Sequence, residues 1–174
     1  MTKGLFVGVL GHRHAGKSRT WNTLFGSTVR TSKNCRALEL YGGECINVFL
    51  ISGSPQERKF DIGDKLASLN CSVVLCSIQY TELVRPTLHY AVENNFDIFV
   101  QWLNPGYKDA GENHDSLGLM PWLLGHGATV AMRNGKDNPS DRTEEVRQFI
   151  YGWGKRHSHT FTCPQSTHDL PTVM

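Results

Sequence analysis

Residues 11–18 read Gly11-His12-Arg13-His14-Ala15-Gly16-Lys17-Ser18, a complete G-x-x-x-x-G-K-[ST] pattern. The flanking sequence decides how it is read. An apolar run, Leu5-Phe6-Val7-Gly8-Val9-Leu10, precedes it and predicts a buried strand. Residues 19–25 follow it and predict a helix. Strand, glycine-rich turn and helix in that order form the setting in which such a loop grips phosphate. Gly11 and Gly16 let the backbone curl so that successive N–H groups face one anion. Lys17 brings a mobile positive charge to the β- and γ-phosphates, and the Ser18 hydroxyl can complete a Mg²⁺ shell. The helix that starts at the loop aims its positive dipole end at the same anion. The stretch from Gly11 through His12, Arg13, His14, Ala15, Gly16, Lys17 and Ser18 to Arg19 is therefore expected to bind a nucleoside triphosphate, GTP or ATP, with Mg²⁺. The competing reading is a glycine-rich turn that happens to carry Lys-Ser.

Composition sets limits on that reading. The chain has 174 residues, 39% hydrophobic and 20% charged, which suits one globular domain with a full core. A net charge of +2, with no run of basic residues, gives no nucleic-acid or anionic-membrane signal. No apolar segment approaches the roughly 18 residues of a membrane span. Five cysteines, an odd number with no C-x-x-C pair, predict reduced thiols, and Cys71 and Cys76 lie in an apolar stretch as small core residues. No leader is evident before the first strand, so the expected location is the cytoplasm.

Working outward from the loop, strands alternate with helices. Gly26 is a helix stop, and residues 27–34 form a polar, threonine-rich loop. Residues 36–41 and 45–52 are two strand-like runs joined by Gly42-Gly43-Glu44, which predicts an antiparallel hairpin. Further strands are expected at 71–78, 96–103 and 128–132. Helices are expected at 82–94, 117–124 and 142–153, the last capped by Ser140 or Asp141. The pattern predicts an α/β fold of three layers: a mostly parallel six-stranded sheet with one antiparallel edge strand and helices on both faces. Residues 1–155 form the expected nucleotide-binding domain, and 156–174, polar and aperiodic, a flexible tail.

With the loop, the hairpin and the Ser54-Pro55-Gln56 break in place, the chain resembles the G domains of Ras-like and Era-like GTPases, within the P-loop NTPases. The run G-K-S-R-T-W-N-T-L-F-G, residues 16–26, is similar to the G-K-S-x-x-x-N-x-L-x-G opening of the Era-like group. The resemblance also shows departures. Where the family ends its hairpin strand with a Mg²⁺-supporting aspartate and a γ-phosphate-sensing glycine, this chain has Ser52 and Pro55. Proline has no N–H to offer a phosphate. Gln56 falls where Ras-like members orient the attacking water, so the resemblance implies Lys17 and Gln56 as catalytic residues. The family's N-K-x-D signature, which reads guanine, is represented by Asn104-Pro105-Gly106-Tyr107. Asn104 matches, Tyr107 stands at the aspartate position, and Asp109 reaches a base only if the loop bulges. The resemblance further implies a switch threonine that joins Ser18 on Mg²⁺. Thr28, Thr31 and Ser32 are candidates, and Thr31 is chosen by spacing. Arg13 and His14 either point outward while the backbone binds, or touch phosphate or a partner.

Three functions follow as expectations. The first is a divergent GTPase-like switch that hydrolyses triphosphate slowly and is read by a partner protein through its loops. The second is a pseudo-GTPase scaffold, favoured by the missing carboxylate. The third is a small-molecule kinase with Arg142 and Arg147 as lid arginines.

Overall fold

A computed structural model describes residues 3–53, 70–109 and 114–165. Its elements are β1 (Leu5–Gly11), α1 (Lys17–Phe25), β2 (Arg36–Glu39), β3 (Glu44–Ile51), β4 (Val73–Gln79), a 3₁₀ turn (Glu82–Val84), α2 (Arg85–Glu93), β5 (Asp97–Leu103), α3 (Leu119–Gly125), β6 (Thr129–Arg133), α4 (Ser140–Arg156) and β7 (Phe161–Thr162). The sheet runs β2-β3-β4-β1-β5-β6, with β2 antiparallel to β3 and the next four pairings parallel. Every residue of β1 is buried, as its unbroken apolar run requires of a strand covered on both faces.

Period-2 alternation along the strands feeds two separate cores. On one face Val7, Val9, Val48, Leu50 and Phe99 pack against Trp21 and Leu24 of α1 and Val146, Ile150 and Trp153 of α4. On the other, Phe6, Leu10, Val74, Ile98 and Trp102 pack against Leu88 of α2 and Leu119 and Leu123 of α3. The three-layer α/β architecture is thus as the alternation predicts. Because the parallel strands all point the same way, the ends of β1, β3, β4, β5 and β6 open onto one edge, where the loop of residues 11–18 lies.

Three expectations are corrected. A seventh strand exists: β7 pairs antiparallel with β3, Glu44 opposite Thr162 and Cys45 opposite Phe161. Residues 157–165 are therefore folded back onto the sheet instead of forming a tail, while 166–174 lie outside the described residues. Two pairs of cysteines are bonded, Cys35–Cys71 and Cys45–Cys163, with Cα separations of 5.8 and 5.0 Å. Of the two cysteines read as core residues, Cys76 alone is a buried thiol, and burial pushes its pKa up. Finally, α4 takes its cap from neither Ser140 nor Asp141. Asn138 Oδ1 accepts from the Ser140 amide at 2.9 Å and from its hydroxyl at 2.8 Å.

The clasp formed by β7 has a polar hub. Glu44 Oε2 accepts from the Tyr151 hydroxyl at 2.9 Å, and Oε1 accepts from Lys155 Nζ at 2.8 Å and Thr160 Oγ1 at 3.1 Å. The Lys155 and Tyr151 hydrogen bonds hold this carboxyl below its usual range.

Candidate functional site

The loop leaves β1 at Gly11 and enters α1 at Lys17. Its curl needs left-handed backbone at two positions, His14 (φ 62°) and Gly16 (φ 104°). Histidine is among the side chains that tolerate the first, whereas the second suits glycine. Lys17 Nζ donates to the carbonyls of Gly11 at 3.0 Å and His12 at 2.6 Å, so the ammonium is drawn back over the loop.

Three glycines from three strand ends seat Ala15. A Cβ on Gly11 would stand 2.7 Å from Ala15 Cβ, one on Gly106 would stand 2.6 Å from the same atom, and one on Gly135 would stand 2.3 Å from the Ala15 carbonyl oxygen. The loops after β5 and β6 are themselves stitched together, Gly135 N donating to Pro105 O at 2.8 Å and Asn104 N to Arg133 O at 2.9 Å. Gly135→Ala is expected to push the phosphate loop off its seat, because the obstructing atom is backbone and cannot rotate away. Triphosphate affinity should fall roughly tenfold or more, about 1.4 kcal/mol. Titration calorimetry beside a thermal melt checks this, and an unaltered affinity would show that the loop can shift without loss.

The loop lines a cavity of about 590 Å³. Its walls are residues 13–19, Ser52 and Gly53 beyond β3, Ser77 on β4, Tyr107 and Lys108 beyond β5, and Gly135 beyond β6. Ser77 Oγ is occupied, accepting from the Trp21 indole N–H at 2.8 Å, which ties α1 to the strand beside β1. Four cations line this space, Arg13, Lys17, Arg19 and Lys108, and of these Arg13 and Lys108 also line a neighbouring depression that contains Asp109. Among the described residues no ion pair involves Arg13, Arg19 or Lys108.

A fifth cation sits behind the loop. Arg142, on the first turn of α4, is 3% exposed. Its Nε donates to Thr20 Oγ1 at 3.2 Å and its Nη1 to the Asp137 carbonyl at 3.0 Å. The Thr20 hydroxyl in turn donates to Gly16 O at 3.2 Å, so the arginine supports the loop through α1. Nη2 is buried without a hydrogen-bond partner and lies 3.2 Å from where a Cβ on Gly16 would be. Burial lowers its pKa, and neighbouring Arg19 adds to the effect.

Of the residues singled out from sequence, the structure gathers Arg13, His14, Ala15, Gly16, Lys17, Ser18 and Arg19 around the cavity. Gly11 lies behind it, its carbonyl taken by Lys17 and by Tyr80 N. The His12 ring turns the other way, edge-on to Tyr80 with centroids 5.1 Å apart. Asn104, expected to contact the nucleotide, is off the wall of this cavity and lines a second depression on that side, together with Thr81, Asp109 and His114. Asp109 does not reach the first cavity, because its Oδ2 accepts from Gly106 N at 2.8 Å. Thr31 is off the wall as well, with its Oγ1 accepting from Ser52 N at 3.1 Å. Gln56 lies outside the described residues. The two arginines considered as kinase lid groups are held elsewhere, Arg142 behind the loop and Arg147 donating to Leu24 O at 2.6 Å. Sequence reading missed Tyr107, Lys108, Gly135 and Ser77 as wall residues. The glycine after β6 and the basic residue after β5 were the available signals.

The residues for Mg²⁺ can be tested against this geometry. Among the described residues the cavity wall offers the metal hydroxyls from Ser18, Ser52 and Ser77, the last already engaged, and no carboxylate. Nor do the described residues contain a group of three His, Cys, Asp or Glu side chains placed to hold a metal. Thr31, expected to join Ser18, is not on the wall. These residues do not fit a protein-held magnesium ion.

No family model matches the chain, and no curated protein matches it. Among solved structures it is similar to the solution NMR structure of a de novo designed P-loop fold protein, with a TM-score of 0.51 and 15% identity. The match covers 90% of this chain and 98% of that one. At that identity the likeness concerns the fold alone. The chain is an α/β protein with a mostly parallel sheet, four α-helices among the described residues, and an architecture similar to the P-loop fold.

Proposed function

We propose that this chain binds a nucleoside triphosphate at residues 11–19 and hydrolyses it slowly, as a divergent GTPase-like domain. One observation carries the reading: the glycine-seated loop opens on a cavity walled by four cations, three of them without a carboxylate partner among the described residues. Uncompensated positive charge at a helix N-terminus is a site for a polyanion.

The base is read weakly. Tyr107, 60% exposed at the cavity, offers a ring face for stacking, which every base can use. Asp109 is turned into its own loop and cannot pair with guanine from there. GTP and ATP are therefore expected to bind within about tenfold of each other, a difference near 1.4 kcal/mol. Mass spectrometry of nucleotide released from freshly purified protein, followed by titration with both triphosphates, tests the reading. Absence of binding to either would reject it.

A switch role draws support from residues 27–34. This segment lies along β3, with Ser32 N donating to Leu50 O at 2.8 Å and Ser52 N to Thr31 Oγ1 at 3.1 Å. Its amides are expected to exchange more slowly when triphosphate is bound, through the Ser52 wall of the cavity. Equal exchange at full occupancy would favour the scaffold reading, which the missing carboxylate also favours. Residues 54–64, expected from sequence to respond likewise, lie outside the described residues. Intrinsic turnover should be at or below the ~10⁻⁴ s⁻¹ scale of unassisted Ras-like proteins. Rapid phosphate release by the isolated chain would contradict that expectation.

A further inference from the structure

We propose that the cavity binds its triphosphate without needing a divalent cation, with arginine and lysine side chains supplying the charge that magnesium otherwise carries. The proposal rests on the nucleotide reading above and deepens it.

The charge balance of the chain points this way. Five other cations are paired with carboxylates, Lys3 with Asp97, Arg85 with Glu82, Arg133 with Glu145, Arg147 with Glu144 and Lys155 with Glu44; Arg30, Lys33, Arg36, Lys136 and Arg156 are in no ion pair among the described residues, but they do not line this cavity. Arg13, Arg19 and Lys108 line one cavity together with Lys17, and none of the three is in an ion pair among the described residues. Arg13, Arg19 and Lys108 bring like charges to one concave site, and a polyphosphate is a ligand that relieves their repulsion. Guanidinium groups add fixed, forked donors that match phosphate oxygens two at a time.

Arg142 is the second, independent sign. A buried charge without a counter-ion is costly to keep. Its Nε and Nη1 are satisfied by Thr20 Oγ1 and a carbonyl, but Nη2 is left without a partner beside Gly16. The buried cation projects its field through the loop from below, while the four others act from the walls. An anion in the cavity offsets the cost from one side and the repulsion from the other. Arg142 is thus a positioning residue: it touches Thr20 and the loop's underside, and its charge acts on the phosphate through them.

A carboxylate would make sense in this wall only if a metal stood between it and the phosphates. Among the described residues, the chain just beyond β3 and the body of β4 provide Ser52 and Ser77 there instead. A hydroxyl can bond to phosphate directly, whereas a carboxylate without metal would repel it.

The test is calorimetric titration of the full chain with the β,γ-imido analogues of GTP and ATP, in magnesium and again in EDTA. Affinity is expected to change by less than about threefold between the two. Inorganic tripolyphosphate in EDTA should raise the thermal midpoint, since the charge match does not involve the base. In EDTA, Arg19→Ala and Lys108→Ala should each weaken binding roughly tenfold, and Arg142→Met should weaken it while leaving the melting temperature of the free protein unchanged or higher. Ser52→Asp should create a magnesium requirement, binding well with the metal and poorly in EDTA. Loss of more than tenfold in affinity when wild-type protein is moved to EDTA would overturn the proposal and leave the nucleotide reading intact. Such a result would assign the metal to a carboxylate outside the described residues. No binding under either condition would overturn both.

Discussion

Lys17→Ala should weaken triphosphate binding roughly 100-fold, about 3 kcal/mol. In the structure the ammonium bonds to the carbonyls of Gly11 and His12, and the residue lines the cavity. Removing it costs the charge-assisted contact to phosphate and also frees two carbonyls whose dipoles then oppose the ligand. The fold should survive, since the residue is only partly buried and belongs to neither hydrophobic core. Titration with a non-hydrolysable triphosphate and a thermal melt of the same preparation separate the two effects. Equal affinity in mutant and wild type would defeat the site.

The largest stability effect should come from the disulfides. Cys45–Cys163 joins residues 118 apart in sequence and fixes β7 against the start of β3. Cross-linking over that span removes loop-closure entropy from the unfolded chain, worth about 4 kcal/mol in the chain-entropy account. Denaturant midpoints with and without reductant should differ accordingly, and Cys163→Ser should reproduce most of the loss without reductant. If reductant leaves the midpoint where it was, the bond is either not formed in solution or does not contribute. A strongly reducing compartment would leave the protein without this support.

What the sequence showed and what it hid have a common physical basis. The strand–loop–helix order, the hairpin and the alternation of elements were legible because each is written in neighbouring residues: apolar runs, a Gly-Gly turn, a 3.6-residue stripe. Interactions closed across long stretches of chain were not. Cys45 and Cys163 meet only because α4 returns the chain past Glu44, and nothing local to either cysteine records that. β7 is two residues long, too short to carry a period, and its pairing depends on a free stretch of β3 that β4 does not cover.

At the site the division is similar. The pattern spans residues 11–18, and residues 13–18 of it, with Arg19 beside them, line the cavity. Asn104 and Asp109 were read by linear position in a loop whose turn reverses them: Asp109 caps Gly106, and Asn104 faces the neighbouring depression. Thr31 was chosen by spacing, and spacing could not show that its hydroxyl bonds to Ser52 N. Arg142 entered as a lid group because an arginine reads as exposed by default. The polar atoms that receive it, on Thr20 and Asp137, come from two other parts of the chain.

The seating of Ala15 on Gly11, Gly106 and Gly135 bears on how finely this cradle can discriminate. No rotamer stands between the strand ends and the loop, so the loop moves only as far as the sheet beneath it moves. For the triphosphate proposed here, a loop so closely seated would be ordered before its guest arrives, and little conformational freedom would be forfeited on capture. The same stiffness works as a gauge. An anion of the right curvature meets amides already in place, and a wider one finds no give in the frame.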